Sequence, residues 1–437
     1  MNHKIQIMKR VVCAILLCCL LSTANAQVKT VREQANIINE LLSDRLNNLL
    51  PTLMSKHNID CWVLMTREYN EDPIVKTMLP AEWLSARRRT ILVFYNNPTT
   101  GKLEKYAIAR YAVGKEIQAA WDVAKTPNQW AALAALLQEK QPAKIALNIS
   151  SDFGHADGLD HTEYVEFMSY LSKEQQSKVI SAQPLAVAWL ETRTEKEMAY
   201  YPSLLKITHD IIKEGFSNKV IKVDETTTTD LEWWFRQKLS DMGLSTWFHP
   251  SVEIQRRSAK NTDDIIHRGD FLHVDFGISY LRLNSDVQEQ AYVLLSNEKE
   301  VPENLVRAFE QTNQLQDILT NNFGTGKTGN EILASALTTA KAKGITPSIY
   351  THPIGMHGHA AGPTIGMWDM QNGVPGSGDY KMNPNTCYSI ELNAMHQLSD
   401  WASPVRVALE QNGCFNGTSF NYIDGRQTKI IAIDFDK

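Results

Sequence analysis

Three acidic residues lie inside stretches that otherwise read as buried β-strand, and any fold of this chain must find partners for them. Asp275 sits in Leu272-His273-Val274-Asp275-Phe276-Gly277, Glu391 in Cys387-Tyr388-Ser389-Ile390-Glu391-Leu392-Asn393, and Glu410 in Val405-Arg406-Val407-Ala408-Leu409-Glu410-Gln411. An unpaired carboxylate taken out of water costs several kcal/mol, so it must protonate, pair or coordinate a metal.

Asp286, eleven residues after Asp275, adds a fourth carboxylate. In an antiparallel pair centred between Tyr280 and Leu281 the two aspartates would stand opposite one another on one face. Opposed like charges are destabilising unless a cation lies between them. The plainer alternatives are a strand-end Asp that caps a turn beside an unrelated surface Asp, and, for Glu391, the solvent face of an edge strand.

The segment Thr351-His352-Pro353-Ile354-Gly355-Met356-His357-Gly358-His359 places three of the twelve histidines within eight residues. Its Gly and Pro content argues against a helix. Imidazole is the commonest neutral metal ligand and also donates hydrogen bonds to developing oxyanions. Chance histidines in a Gly-rich loop are the alternative.

The chain around these residues is ordinary globular sequence. At 437 residues it exceeds one compact core of ~100–200 residues, so two or three domains are expected. Lys plus Arg number 44 against 49 Asp plus Glu, which leaves no basic excess for a nucleic-acid partner. Residues 1–26 read as a secretory signal peptide: Lys4, Lys9 and Arg10, then the apolar run Val11 to Leu21, then Ala24-Asn25-Ala26 as cleavage site. Eleven apolar residues are too few for a bilayer core of ~30 Å, so no permanent membrane anchor is expected. Export is expected, to the periplasm. Of the six cysteines, Cys61, Cys387 and Cys414 remain after cleavage; at most one bridge can form, and buried small hydrophobes are the favoured reading.

Helical periodicity over Val31 to Leu53 precedes a strand-like run Cys61 to Met65. Further strands are expected at Arg89 to Tyr95 and Lys144 to Asn148, with helices around Trp130 to Lys140 and Glu163 to Leu171, so residues 27–188 read as an α/β domain. A long helix from Thr194 to Phe216 and another capped by Thr229-Asp230 open residues 189–437. Strands at Asp270 to Phe276 and Gln290 to Leu295 and a helix from Val306 to Phe323 follow. Gly324-Thr325-Gly326-Lys327-Thr328-Gly329 satisfies GxGxxG, but it follows a helix and lacks the P-loop glycine at Asn321, so a turn before a helix near Asn330 is expected.

The order Asp275, Asp286, His352, Glu391, Glu410, with His359 seven residues after His352, resembles the M24 metallopeptidases of pita-bread fold, such as methionine aminopeptidase, Xaa-Pro aminopeptidase and prolidase. The likeness covers the C-terminal ~245 residues, and the preceding α/β domain is similar in kind to that of creatinase. The resemblance implies an α+β chain, a creatinase-like N-terminal domain followed by a pita-bread domain, and the ability to homodimerise. It implies two divalent ions, Mn²⁺ first with Zn²⁺, Co²⁺ or Fe²⁺ as alternatives, since the donors are mostly hard oxygens.

In that pattern Asp275 and Glu410 bridge the ions, Asp286 completes one, and His352 with Glu391 completes the other. A hydroxide between the metals is the nucleophile, Glu391 shuttles its proton, and His359, with His357 as a second candidate, steadies the oxyanion. The expected activity is hydrolysis of a peptide bond near the N-terminus of small peptides, by an Xaa-Pro aminopeptidase or dipeptidase. Departures weaken proline specificity: Glu289 and Ala408 stand where the family has Arg, and Ser258 and Ser348 where Xaa-Pro enzymes have His. A catalytically silent peptide binder and a metal-independent creatinase-type amidinohydrolase are the alternatives.

Overall fold

The computed structural model describes residues 28–258 and 262–436, so the signal-peptide segment lies outside the described residues. The expected first helix runs Val31–Asp44, widens into one π turn over Arg45–Leu49, and resumes at Leu50–Lys56.

A six-stranded mixed sheet follows: β1 (Cys61–Arg67), β2 (Arg89–Asn97), β3 (Lys102–Ala107), β4 (Gln118–Ala119), β5 (Ile145–Leu147) and β6 (Val179–Ser181), in the spatial order β4-β3-β2-β1-β5-β6. Both faces of β1 are covered. Trp62 and Leu64 join one apolar cluster, and Cys61, Val63 and Met65 join the other. That is why the run is continuously apolar instead of alternating.

The helix Glu195–Gly215 begins at Thr194, whose side chain and Glu197 form a capping box. The next helix, Thr228–Asp241, starts two residues earlier than Thr229-Asp230 suggested: Thr227 is the cap, and Asp230 is its reciprocal partner in the first turn. These two helices pack on a four-stranded sheet of order β19-β11-β8-β7, made from β7 (Ser251–Gln255), β8 (Phe271–Phe276), β11 (Val287–Val293) and β19 (Ile431–Ile433). A short hairpin, β9 (Ser279–Tyr280) and β10 (Leu283–Asn284), connects β8 to β11.

Two further sheets share their chain segments. One has the order β12-β15-β16, with β12 (Pro347–Ile349), β15 (Leu392–His396) and β16 (Val405–Leu409); the helices Glu303–Thr320 and Gly329–Ala342 pack on it. The other has the order β13-β14-β17-β18, with β13 (His352–Ile354), β14 (Thr386–Ser389), β17 (Asn412–Phe415) and β18 (Phe420–Tyr422). Three times the chain leaves one of these sheets and enters the other after a two-residue break: at Tyr350-Thr351, at Ile390-Glu391 and at Glu410-Gln411. The breaks are stitched together, Tyr350 N donating to Glu391 O and Ile390 N to Gln411 O. The stretches around Glu391 and Glu410 are therefore each two strands, and the acidic residue marks the seam.

Three sequence expectations are corrected. The aspartate hairpin turns at Leu281 and Arg282, so Asp275 faces Gln288 and not Asp286. Both turn residues have positive φ, 55° and 64°, which Asn-Gly usually supplies; here Arg282 is held by bonds to the Leu79 and Pro80 carbonyls. β11 begins at Val287 instead of Gln290. Cys387 and Cys414, register partners on β14 and β17, form a disulfide, whereas Cys61 is free and buried. The GxGxxG segment is a turn, and its Thr328 caps the helix Gly329–Ala342.

Candidate metal centre

The seam and the aspartate strands meet at one place. Ligand atoms of Asp275, Asp286 and Glu410 lie within 4.8 Å of one another, as do those of His352, Glu391 and Glu410. Glu410 belongs to both groups, so the five residues form two adjoining donor sets with a shared member. They are positioned by backbone. Gln288 N donates to Glu410 O across the seam. Asn412 brackets the Asp286 peptide, its Oδ1 accepting from Asp286 N and its Nδ2 donating to Asp286 O.

The atoms these residues turn inward suit a cation. Asp275 Oδ1, Asp286 Oδ1, His352 Nε2 and Glu410 Oε1 are buried without a hydrogen-bond partner. His352 Nδ1 lies 3.0 Å from the Pro353 carbonyl, an acceptor only, so Nδ1 carries the proton and Nε2 presents a lone pair to the cluster. Burial, and then the charge of Glu410, raises the pKa of Asp275, of Asp286 and of Glu391 well above the carboxylate range. At His352 burial acts downward, but Glu410 outweighs it and the pKa rises. Without a cation the cluster thus needs protons to survive, which is the behaviour of a metal site stripped of its charge. The donor set fits a pair of divalent ions.

His359 is brought to the same place. Its ligand atom lies within 4.8 Å of those of Asp286 and His352, its ring is edge-on to His352 at 4.6 Å, and the residue is exposed. Burial and the neighbouring His352 lower its pKa to about 4. His357 is lowered to about 3 by burial and by His155, whose ring lies 4.4 Å away. Both are therefore neutral N–H donors at pH 7.

Four nearby residues were not singled out in the sequence. Trp247 donates its Nε1 proton to the Ser285 carbonyl and lies so close to the histidine loop that a Cβ at Gly358 would sit 2.1 Å from its ring. Tyr350 stands at the first seam crossing, its phenol raised to about 12 by burial and by Glu391. His155 comes from the turn Gly154–Ala156, before the last strand of the first sheet. Gln288 was legible in principle, because two residues after Asp286 on a strand puts it on the same face.

The departures lie off the ligands. Glu289 points to the opposite face of β11, where His209 Nε2 is 4.0 Å from its Oε1, and burial raises its pKa. The Ala408 carbonyl accepts from Gln290 Nε2. Ser348, on β12, pairs with Asn393 of β15, and Ser258 is exposed.

The sequence profile of metallopeptidase family M24 (Peptidase_M24) matches residues 203–415, which include all five donors. Among solved structures, the X-Pro aminopeptidase of Thermotoga maritima superimposes with a TM-score of 0.62 at 14% identity, covering 86% of this chain and 98% of that one. A dipeptidase of Pyrococcus horikoshii OT3 gives 0.58 at 14% identity, over 89% and 99%. The N-terminal domain of the FACT complex subunit SPT16 from chickpea gives 0.56 at 12% identity, over 93% and 99%. At such identities the likeness establishes the fold. No curated protein sequence matches the chain.

Proposed function

We propose, from the membership of this chain in metallopeptidase family M24, that it is an exported dinuclear-metal peptidase that cleaves a peptide bond near the N-terminus of small peptides. The observation that carries the reading is the set of four buried, unpartnered donor atoms on Asp275, Asp286, His352 and Glu410. Nothing but a cation or protons satisfies them.

Asp275, Asp286 and Glu410 would hold one ion, and His352, Glu391 and Glu410 the other. Such a pair supplies Lewis acidity and an activated water at neutral pH. The remaining chemistry belongs to the chain. Glu391, less enclosed than Glu410, takes the proton of the attacking water and returns it to the leaving amine. His359, neutral and exposed, donates to the oxyanion that forms on the scissile carbonyl. His357 stands beside it as a second donor toward the substrate. Export is supported by the charged, apolar and small-residue pattern of residues 1–26 and by the disulfide Cys387–Cys414.

The test is purified protein, stripped and reloaded with Mn²⁺ or Zn²⁺, assayed on Xaa-Pro and non-proline di- and tripeptides. Turnover that depends on the metal is expected. With Ser258 and Ser348 in place of histidines, non-proline peptides are expected to be accepted too. Two bound ions without turnover on any peptide would leave a silent binder, and absence of metal uptake would overturn the reading.

A further inference from the structure

We propose that Gln288 is the positioning residue of the metal centre, and that His273 fixes the direction of its carboxamide; the inference rests on the dinuclear reading above. Gln288 lies on β11 directly opposite Asp275. Its Nε2 is 2.8 Å from Glu391 Oε1 and 2.8 Å from Glu410 Oε2, so one amide group donates a hydrogen to each of two glutamates. Its backbone is tied to the same partner, Gln288 N donating to Glu410 O at 3.0 Å.

The orientation is dictated by chemistry. Carboxylates only accept, so the NH₂ end must face them and the carbonyl end must face away. There Oε1 meets His273 Nε2 at 2.8 Å, which must then carry a proton. The other ring nitrogen of His273 is 3.4 Å from Glu253 Oε2 at the rim. A line of contacts thus runs Glu253, His273, Gln288, and forks to both glutamates.

Engaging Glu410 Oε2 and Glu391 Oε1 leaves Glu410 Oε1, which has no partner, turned toward His352. The two short bonds tie both carboxyl groups to one amide nitrogen. It therefore holds the glutamates in ligating geometry before an ion arrives. Outer partners of this kind are worth ~10–100-fold in metal affinity.

The test is Mn²⁺ titration calorimetry on the stripped full-length protein, with paramagnetic resonance of the loaded form. Gln288→Met keeps the length of the side chain and removes both donors. It is expected to weaken Mn²⁺ binding ~10–100-fold and to replace the signal of a coupled Mn²⁺ pair by that of isolated ions, with circular dichroism unchanged. His273→Phe, which frees the amide to turn, is expected to weaken binding in the same direction by less. Gln288→Met binding within threefold of wild type, with the coupled signal intact, would overturn the role of Gln288. His273→Phe indistinguishable from wild type would overturn that of His273. Wild-type protein that binds no divalent ion fails the dinuclear reading itself, a different result from two ions bound regardless of residue 288.

Discussion

His352 Nε2 lies 3.4 Å from Glu410 Oε1, and neither atom has a hydrogen-bond partner. Because His352 Nδ1 gives its proton to the Pro353 carbonyl, a lone pair faces a carboxylate oxygen across that gap. Two electron-rich atoms held together out of water define where positive charge belongs, and Asp286 Oδ2, 3.5 Å from the same nitrogen, belongs to that surround.

Asp286→Ala removes one of these anions. Metal content is expected to fall to one ion or none per chain, read by elemental analysis. Peptide hydrolysis should drop by roughly three decades or more, since several kcal/mol of Lewis-acid stabilisation are lost at about 1.4 kcal/mol per decade. The metal-free variant should melt no lower than metal-free wild type, because a buried carboxyl that must otherwise be kept protonated has been deleted. Unchanged kinetics would refute the assignment.

Much of this was legible before the structure, for a physical reason. A carboxylate inside an apolar run is anomalous wherever the run folds, so Asp275, Glu391 and Glu410 are marked by local context alone, and the helix after Thr194 shows in its own periodicity. What was missed depends on distant contacts. The hairpin turn at Leu281-Arg282 carries no glycine and is held from Leu79 and Pro80, two hundred residues away in sequence. The break at Glu391 arises because neighbouring strands change sheets at the same level, which one strand cannot reveal. The pairing of Cys387 with Cys414 follows from that register, and His155 reaches the histidine loop only through the packing of the first sheet's turns on it.

His359→Ala should separate binding of metal from catalysis. The ring is neutral and the residue exposed, and an oxyanion donor is worth ~10²–10³ in kcat. The expected result is a loss of that size in kcat, with little change in KM and with two ions retained. His357→Ala, whose ring is more enclosed, should cost less. Loss of an ion in His359→Ala would reassign it as a ligand, a role its distance from His352 and Asp286 also permits.

The disulfide closes a loop with a sequence separation of 27 that contains both Glu391 and Glu410. Closing a loop of that length stabilises by about 3–4 kcal/mol in the chain-entropy account. Dithiothreitol should therefore lower the melting temperature of wild type, whereas Cys387→Ala/Cys414→Ala should start lower and not respond. Because the same loop carries two donors, reduction should also weaken Mn²⁺ binding. Intact mass two daltons higher after reduction checks the bond directly; a melting temperature indifferent to reductant would remove its structural role.

Glu191 ends the helix Gln183–Glu191 with its carboxyl fully enclosed. Burial pushes its pKa up to about 8, against the Asn383 amide at 2.9 Å and the more distant Lys56 and Arg193, which favour the charge. The folded chain therefore keeps a proton that the unfolded chain, titrating near 4.3, has given up. Stability from this group is complete below the unfolded value and is lost as pH rises through the folded one, so it declines across the window from about 4.3 to about 8. At ~1.4 kcal/mol per unit the loss is on the order of a few kcal/mol. Glu191→Gln, neutral at every pH and of nearly the same shape, should match wild type at pH 5 and exceed it at pH 8.5. Denaturant unfolding of the metal-loaded proteins at both values measures this, with the ligand carboxylates held ionised by their ions. A stability difference that is the same at pH 5 and pH 8.5 would mean that Glu191 is charged throughout, and that Lys56 and Arg193 outweigh its burial.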